Sequence, residues 1–205
     1  MHQMFREALA GMINEAGGFR VFADAETGSE AVDLCLRDAP DILVIPVELD
    51  GGDGIEVTRE ILQARPKTRV ILLQSTRDED TTLRAIRSGA LGLVLTTTPA
   101  NLLIEALRTV AQGRAYVGPV TWDVVLNRLK NTPREARPSG LQELSPRHKQ
   151  ILALIVQGRT SNEIAAQLGA AVGAIREQRK ALMRRMHVKT TPELILAALA
   201  KGFKA

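Results

Sequence analysis

Residues 144–187 carry the pattern that most limits what this chain can fold into: three short helical segments separated by two glycines. Ser145 and Pro146 predict a helix start, because Ser caps a helix N-terminus well and Pro at the first helical position loses no hydrogen bond. Gly158 is expected to end that helix, and Gly169 the next one. A short helix, a tight turn and a basic third helix are typical of a helix-turn-helix unit that inserts into the DNA major groove.

The second and third segments strengthen this interpretation. Thr160 is followed three residues later by Glu163, the spacing of a capping box at the start of a helix. In the third segment Ile175, Leu182 and Met186 recur at helical spacing and define an inner face, so the basic residues fall on the other faces. A three-helix bundle with a solvated basic face would show the same periodicity, and the pattern alone leaves both alternatives open.

The order of residues favours DNA binding. The segments LSPRHKQILALIVQG, EIAAQL and GAIREQRKALMRRM resemble the DNA-binding domain of LuxR-type regulators. The resemblance implies double-stranded DNA as the partner and places the groove-reading positions from about Ala174 to Lys180. The residues expected to face DNA are Thr160, Ala174, Arg176, Glu177, Gln178, Arg179, Lys180 and Arg184.

The chemistry of these side chains suits the edges of bases and the phosphate backbone. Arg176 can contact guanine or phosphate, and Glu177 can accept a hydrogen bond from the amino group of cytosine. Gln178 can pair with adenine, whereas Arg179 and Lys180 can bind phosphates or bases. We therefore expect sequence-specific rather than purely electrostatic binding.

Charge and composition agree with a nucleic-acid module joined to a different domain. Residues 140–205 carry eleven Lys/Arg against four Asp/Glu, while residues 1–139 carry sixteen against nineteen. The single Cys35 fits a reducing cytoplasm. No signal peptide is recognisable, and no apolar run approaches the roughly 18 residues of a membrane-spanning helix. We expect a cytoplasmic protein with no membrane partner.

Catalytic and cofactor sites are not expected. The three histidines lack metal-ligand spacing, and the sequence contains no Ser-His-Asp or Cys-His arrangement and no phosphate-cradling glycine loop. We therefore predict no enzymatic activity, no cofactor and no metal.

The first half of the chain alternates apolar runs with amphipathic segments, which predicts βαβ units and a doubly wound parallel sheet. The predicted strands are Phe19–Ala23, Asp41–Ile45, Arg69–Leu73 and a last one within residues 89–95. The predicted helices cover residues 3–16, 27–38, 54–64, 79–88 and 99–112.

The segments PDILVIPVEL, RVILLQS, SGALGLVL and LLIEALRTVAQG resemble the receiver domain of response regulators, and the whole chain resembles a NarL/FixJ-type response regulator. This implies a flavodoxin-like receiver over residues 1–118, a linker helix and linker over 119–143, and a four-helix DNA-binding domain over 144–205. The family's first strand has no counterpart here. We expect that the true start lies upstream of Met1, that neighbouring strands close the gap, or that a partner strand fills it.

The resemblance also exposes a departure at the phosphorylation site. A working receiver needs an Asp that accepts phosphate, a Ser or Thr and a Lys that sense it, and acidic residues that hold Mg²⁺. The corresponding positions here are Pro46, Gln74 and Thr96. A solvated loop is the expected role of the nearby acidic residues Glu48, Asp50 and Asp53. We predict a degenerate receiver that is controlled independently of aspartyl phosphorylation.

Together these features predict a sequence-specific transcription regulator that binds DNA as a homodimer. By resemblance the last helix supplies the dimer contact, through Leu194, Ile195 and Ala198. Two alternatives stay open: a protein-interaction module whose pseudo-receiver pairs with another regulator, and a regulator that senses a small molecule. RNA polymerase is a further candidate partner. The sequence does not name the operator, the regulated genes, the signal or the direction of regulation.

Overall fold

The computed structural model describes residues 3–118, 144–200 and 203. The predicted linker helix at 120–130 and the linker at 131–143 lie outside these residues. Within them the chain forms a parallel α/β domain followed by a helical domain, as the sequence predicts.

Four parallel strands form the central sheet of the N-terminal domain. In spatial order they are β1 (Ile42–Pro46), β4 (Arg69–Gln74), β5 (Gly92–Leu95) and β6 (Tyr116–Val117). Two short strands, β2 (Glu48–Leu49) and β3 (Gly52–Asp53), pair antiparallel in the loop after β1. The strands β2, β3 and β6 are additions to the prediction from the sequence.

Helices cover both faces of this sheet, and its central strands are therefore continuous apolar runs in the sequence. They are α1 (Gln3–Glu15), α2 (Gly28–Asp38), α3 (Gly54–Ala64), α4 (Glu79–Arg87) and α5 (Ala100–Ala111). On one face, α1 and α5 pack against alternate residues of β4 such as Ile71 and Leu73. On the other, α3 and α4 pack against Val70 and Leu72. The prediction of a parallel sheet with helices on both faces is confirmed.

The prediction of a strand at Phe19–Ala23 was wrong. These residues form no regular structure, although Phe19 and Val21 still pack into the apolar layer under α1 and α5. The backbone N–H of Val21 donates to Asn14 Oδ1 at 2.8 Å rather than to a neighbouring strand. A strand needs a ladder partner, and within the described residues β1 is paired on one side only, with β4.

The C-terminal domain contains α6 (Pro146–Val156), α7 (Ser161–Leu168), α8 (Val172–Arg185) and α9 (Thr191–Ala200). The predicted caps are present: Ser145 accepts from the backbone of His148, and Thr160 and Glu163 form a complete capping box. Gly169 ends α7 in the left-handed conformation that glycine adopts without strain. The four helices enclose one core, which includes Ile151, Leu152, Ile164, Ile175, Leu182, Met186 and Leu194.

The two domains contact each other through α4 and α9. The hydroxyl of Thr190 donates to the carbonyl of Ile86 at 3.3 Å and accepts from the backbone N–H of Glu193. Leu196 is buried in the apolar cluster that contains Ile86. The N-terminus of α9 is therefore capped and attached to the end of α4 by the same side chain.

Candidate functional site

One face of α8 is exposed and charged. Ile175, Leu182 and Met186 are at most 1% exposed and fix the rotation of the helix about its axis. The opposite face presents the side chains of Ala174, Arg176, Glu177, Lys180 and Arg184 to solvent. These five are among the residues predicted to face DNA, and the structure brings them together on a single surface.

Two of these side chains interact with each other. Lys180 Nζ lies 2.9 Å from Glu177 Oε1, and Lys180 lowers the pKa of Glu177 through this hydrogen bond and its charge. Both side chains are about two-thirds exposed, so the pair is a weak surface contact that DNA can replace. Arg176 and Arg184 leave the surface with a net positive charge.

The N-terminal ends of α7 and α8 differ in how they are capped. The Thr160 hydroxyl accepts from Glu163 N at 3.2 Å, and the Glu163 carboxylate accepts from Thr160 N at 2.7 Å. These hydrogen bonds lower the pKa of Glu163. At α8 the N-cap residue is Ala171, and no side chain caps the helix. The first N–H groups of α8 therefore point outward without a side-chain acceptor, an arrangement that suits a phosphate group.

Arg179 lies in a different environment from the other basic residues of α8. Its guanidinium donates to Ser161 Oγ at 3.3 Å and to Thr191 Oγ1 at 3.2 Å, and burial lowers its pKa. Its Nε is buried without a hydrogen-bond partner. Arg179 therefore connects α8 to the starts of α7 and α9, and a phosphate contact from it would require these hydrogen bonds to break. Gln178 is half-buried.

The residues predicted to form the dimer contact face inward. Leu194 and Ala198 are fully buried and Ile195 is 6% exposed, all three in the core of the C-terminal domain. The dimer contact through these residues stays a prediction, because apolar periodicity marks a buried face without saying what covers it. Here the domain's own helices cover these residues, and α4 covers Leu196 on the other side of α9.

The three positions of the predicted phosphorylation site meet at the carboxyl edge of the sheet. Pro46 pairs with Leu73 in the sheet register, and Thr96 N donates to Gln74 O at 2.9 Å. Gln74 is fully buried: its Oε1 accepts from Thr82 Oγ1 at 3.1 Å and its Nε2 donates to Asp78 O at 3.2 Å. Gln74 thus fixes the first turn of α4 to the end of β4.

The acidic residues of the loop after β1 are engaged in local contacts. Asp53 caps α3 by accepting from Ile55 N at 2.8 Å, and its other oxygen forms an ion pair with Arg84 of α4. Glu48 accepts from Ser75 Oγ at 3.0 Å. No group of three or more His, Cys, Asp or Glu residues that could hold a metal ion occurs in the part of the chain that the structure describes.

Sequence reasoning missed Thr82 and Arg84 at this edge. Thr82 lies one turn after Asp78, the N-cap of α4. At this spacing its hydroxyl reaches the carbonyl of Asp78 and the side chain of Gln74 at the end of β4, so the spacing could have identified Thr82 from the sequence. Arg84 gives no such signal, because its partner Asp53 is distant in sequence and the two meet only through the packing of α4 beside α3.

A parallel α/β domain joined to a helix-turn-helix domain with an exposed basic helix defines a two-domain DNA-binding regulator. Residues 2–108 match the response regulator receiver domain, and residues 142–198 match the luxR family of bacterial regulatory proteins. The chain belongs to the response regulators and is a transcription regulator, not an enzyme.

Known relatives match this chain over most or nearly all of its length. It is 30% identical over 204 residues to the oxygen regulatory protein NreC of Staphylococcus carnosus, covering 98% of this chain and 94% of that protein. A LuxR-family two-component response regulator from Aurantimonas sp. has a TM-score of 0.60 and 28% identity, covering 62% of this chain and 91% of that one. RcsB of Salmonella typhimurium shares the fold, with a TM-score of 0.57 and 19% identity over 98% of this chain and 95% of its own. No described helix is long and apolar enough to cross a membrane.

Proposed function

We propose that the chain reads a specific DNA sequence by inserting α8 into the major groove. The observation that carries this proposal is the exposed face of α8, on which Arg176, Glu177, Lys180 and Arg184 stand together while the apolar side of the helix is sealed in the core. The uncapped start of α8 adds backbone donors for a phosphate. Selection of bound sequences from random duplex DNA tests the proposal and yields the operator.

Within this surface, roles follow from position and exposure. Arg176 and Glu177 are assigned to bases, and Lys180 and Arg184 to phosphates. Ala174 lies at the start of the face, where its small side chain allows a close approach to DNA. Gln178 stays a candidate for adenine at the margin of the face. Thr160 and Arg179 act indirectly, by fixing the starts of α7 and α9 relative to α8.

We further propose that the receiver is degenerate and that aspartyl phosphorylation does not control the protein. Pro46 offers no nucleophile, and Thr96 offers no cation for a phosphoryl group. Gln74 is held by Thr82 and Asp78, so the strand end that would respond to phosphate is already hydrogen-bonded to α4. We retain the predicted division into a receiver at 1–118, a linker at 119–143 and a DNA-binding domain at 144–205.

Incubation with acetyl phosphate and Mg²⁺ is expected to leave the mass of the protein and its DNA affinity unchanged. The physical reason is that no carboxylate stands at the end of β1 to form an acyl phosphate. Intact-mass spectrometry and gel mobility shifts measure the two quantities, and an authentic receiver serves as the positive control for the donor. An acid-labile phosphoryl adduct on Glu48, Asp50 or Asp53 would contradict the proposal.

We also propose a homodimer that forms without phosphorylation. Because Leu194, Ile195 and Ala198 are buried in the core of the C-terminal domain, a dimer that keeps this core closed requires another surface. Sedimentation velocity is expected to show a dimer at tens of micromolar, the order at which weak dimers form, whether or not acetyl phosphate is present. A monomer throughout this range, with and without operator DNA carrying paired half-sites, would exclude it.

A further inference from the structure

A cleft of about 660 Å³ lies between the two domains, beside the contact of α4 with α9. From the N-terminal domain its lining includes Lys67, in the loop between α3 and β4, and Arg69, the first residue of β4. From the C-terminal domain its lining includes Lys189, in the turn between α8 and α9. Its volume is typical of small-molecule sites, and domain interfaces are where such sites commonly occur.

The cleft has an excess of positive charge. Lys67, Arg69 and Lys189 all belong to its lining, and Asp41 is the one acidic residue there. Among the described residues, none of the three cationic side chains forms a salt bridge. Lys67 and Lys189 are exposed side chains, so an anion can approach both of them from solvent.

The rest of the lining is apolar or already hydrogen-bonded. Leu62, Leu91 and Met183 contribute apolar surface, while the Thr68 hydroxyl donates to Pro40 O and the Thr191 hydroxyl accepts from Arg179. A concave surface with an apolar part and three cations contributed by two domains fits a compact anion better than it fits a DNA backbone, which needs an open track of cations.

We propose that this cleft binds a small polyanion, with two or more negative charges on phosphate or carboxylate groups, and that the ligand holds the two domains together. The anion is bound by cations of both domains, Lys67 and Arg69 from the N-terminal domain and Lys189 from the C-terminal domain. The exposed face of α8 lies outside the cleft, so the ligand acts on domain docking and not by blocking the groove-reading residues. This inference is independent of the proposed DNA contacts and of the missing phosphorylation chemistry.

Calorimetric titration of the full chain with inorganic pyrophosphate and, separately, with citrate tests the proposal, at constant ionic strength set with potassium chloride. We expect saturable binding of one anion per chain for at least one of the two probes, and the difference between them distinguishes phosphate from carboxylate chemistry. Lys67→Ala, Arg69→Ala and Lys189→Ala are each expected to weaken binding roughly tenfold, the effect of losing one charged hydrogen bond. Because these residues come from two domains, a common loss locates the ligand between them.

Two further variants sharpen the test. Lys149→Ala removes the same charge from an exposed position on α6 outside the cleft and should leave the affinity unchanged. Asp41→Asn removes the opposing charge with little change of shape and should strengthen binding. Thermal unfolding of each variant in the absence of anion verifies that the fold is intact.

The outcomes are distinguishable. The proposal is overturned if neither pyrophosphate nor citrate binds above the background of chloride. It is also overturned if Lys67→Ala and Lys149→Ala weaken anion binding equally. If a short duplex of arbitrary sequence displaces the bound probe and Lys67→Ala weakens that duplex as well, the cleft belongs to a DNA-binding surface and the small-ligand proposal fails. Loss of operator binding alone, with anion binding intact, would contradict the proposed DNA contacts and leave this inference standing.

Discussion

Replacing Arg176 with Ala is expected to weaken binding to the selected operator by about 1–3 kcal/mol while changing the affinity for unrelated DNA little. Arg176 is exposed on the one charged face of α8, and Ile175 beside it is sealed in the core. A bidentate contact from an arginine to guanine is specific to one base pair, so its loss should also relax the preference at that position. Competition gel shifts against operators with single base changes measure both effects.

Lys180→Ala should give a different signature on the same assay. If Lys180 neutralises a phosphate, its removal weakens all sequences similarly and lowers the slope of log affinity against log salt by about one unit. The control is Lys149→Ala, which removes the same charge from the exposed side of α6 and should alter neither the DNA affinity nor the salt slope. Operator binding that survives both Arg176→Ala and Lys180→Ala would reject the groove assignment in favour of the interaction-module alternative.

Local signals made the helix-turn-helix predictable. The caps at Ser145 and Thr160 depend on contacts over three residues, and Gly169 is required by the left-handed backbone at the end of α7. The inward positions of Ile175, Leu182 and Met186 follow from helical phase alone. Each of these features is encoded within one or two turns of helix, so the sequence contains all the information needed.

Arg179 illustrates how residue type and helical phase can indicate different roles for one side chain. It stands four residues after Ile175 and three before Leu182, so helical phase places it on the buried side of α8. Its charge suggested a phosphate contact. A long side chain can start on the buried side of a helix and still place its charged end among polar groups at the rim of the core, here Ser161 and Thr191. The partners belong to other helices, which periodicity within α8 cannot reveal.

The errors in the N-terminal domain have a related cause. The two-residue strand β6 exists because Tyr116 and Val117 lie beside β5, and the segment at Phe19–Ala23 is irregular because no ladder partner reaches it. Pairing between strands depends on tertiary arrangement, and a β-like composition does not specify it. The same dependence on tertiary packing holds for α9, whose apolar residues Leu194, Ile195 and Ala198 lie in the core of the C-terminal domain.

The corner of the sheet at Pro46 is also determined by non-local packing. The backbone N–H of Gly54 donates to the carbonyl of Val47 at 2.8 Å, and the start of α3 lies directly against the end of β1. A Cβ atom built on Gly54 would come within 1.9 Å of the carbonyl oxygen of Pro46. Glycine is therefore required at this position by space.

Gly54→Ala is accordingly expected to destabilise the N-terminal domain by at least about 3 kcal/mol, since the clash is with backbone and cannot be relieved by a rotamer change. Gly52→Ala is the matched control: it adds the same methyl group two residues earlier, where the nearest atom is Leu49 Cβ at 3.9 Å. Urea unfolding followed by far-UV circular dichroism compares the two. Equal stability of both variants would mean that α3 can move away from the end of β1, and it would contradict the steric requirement for glycine at position 54.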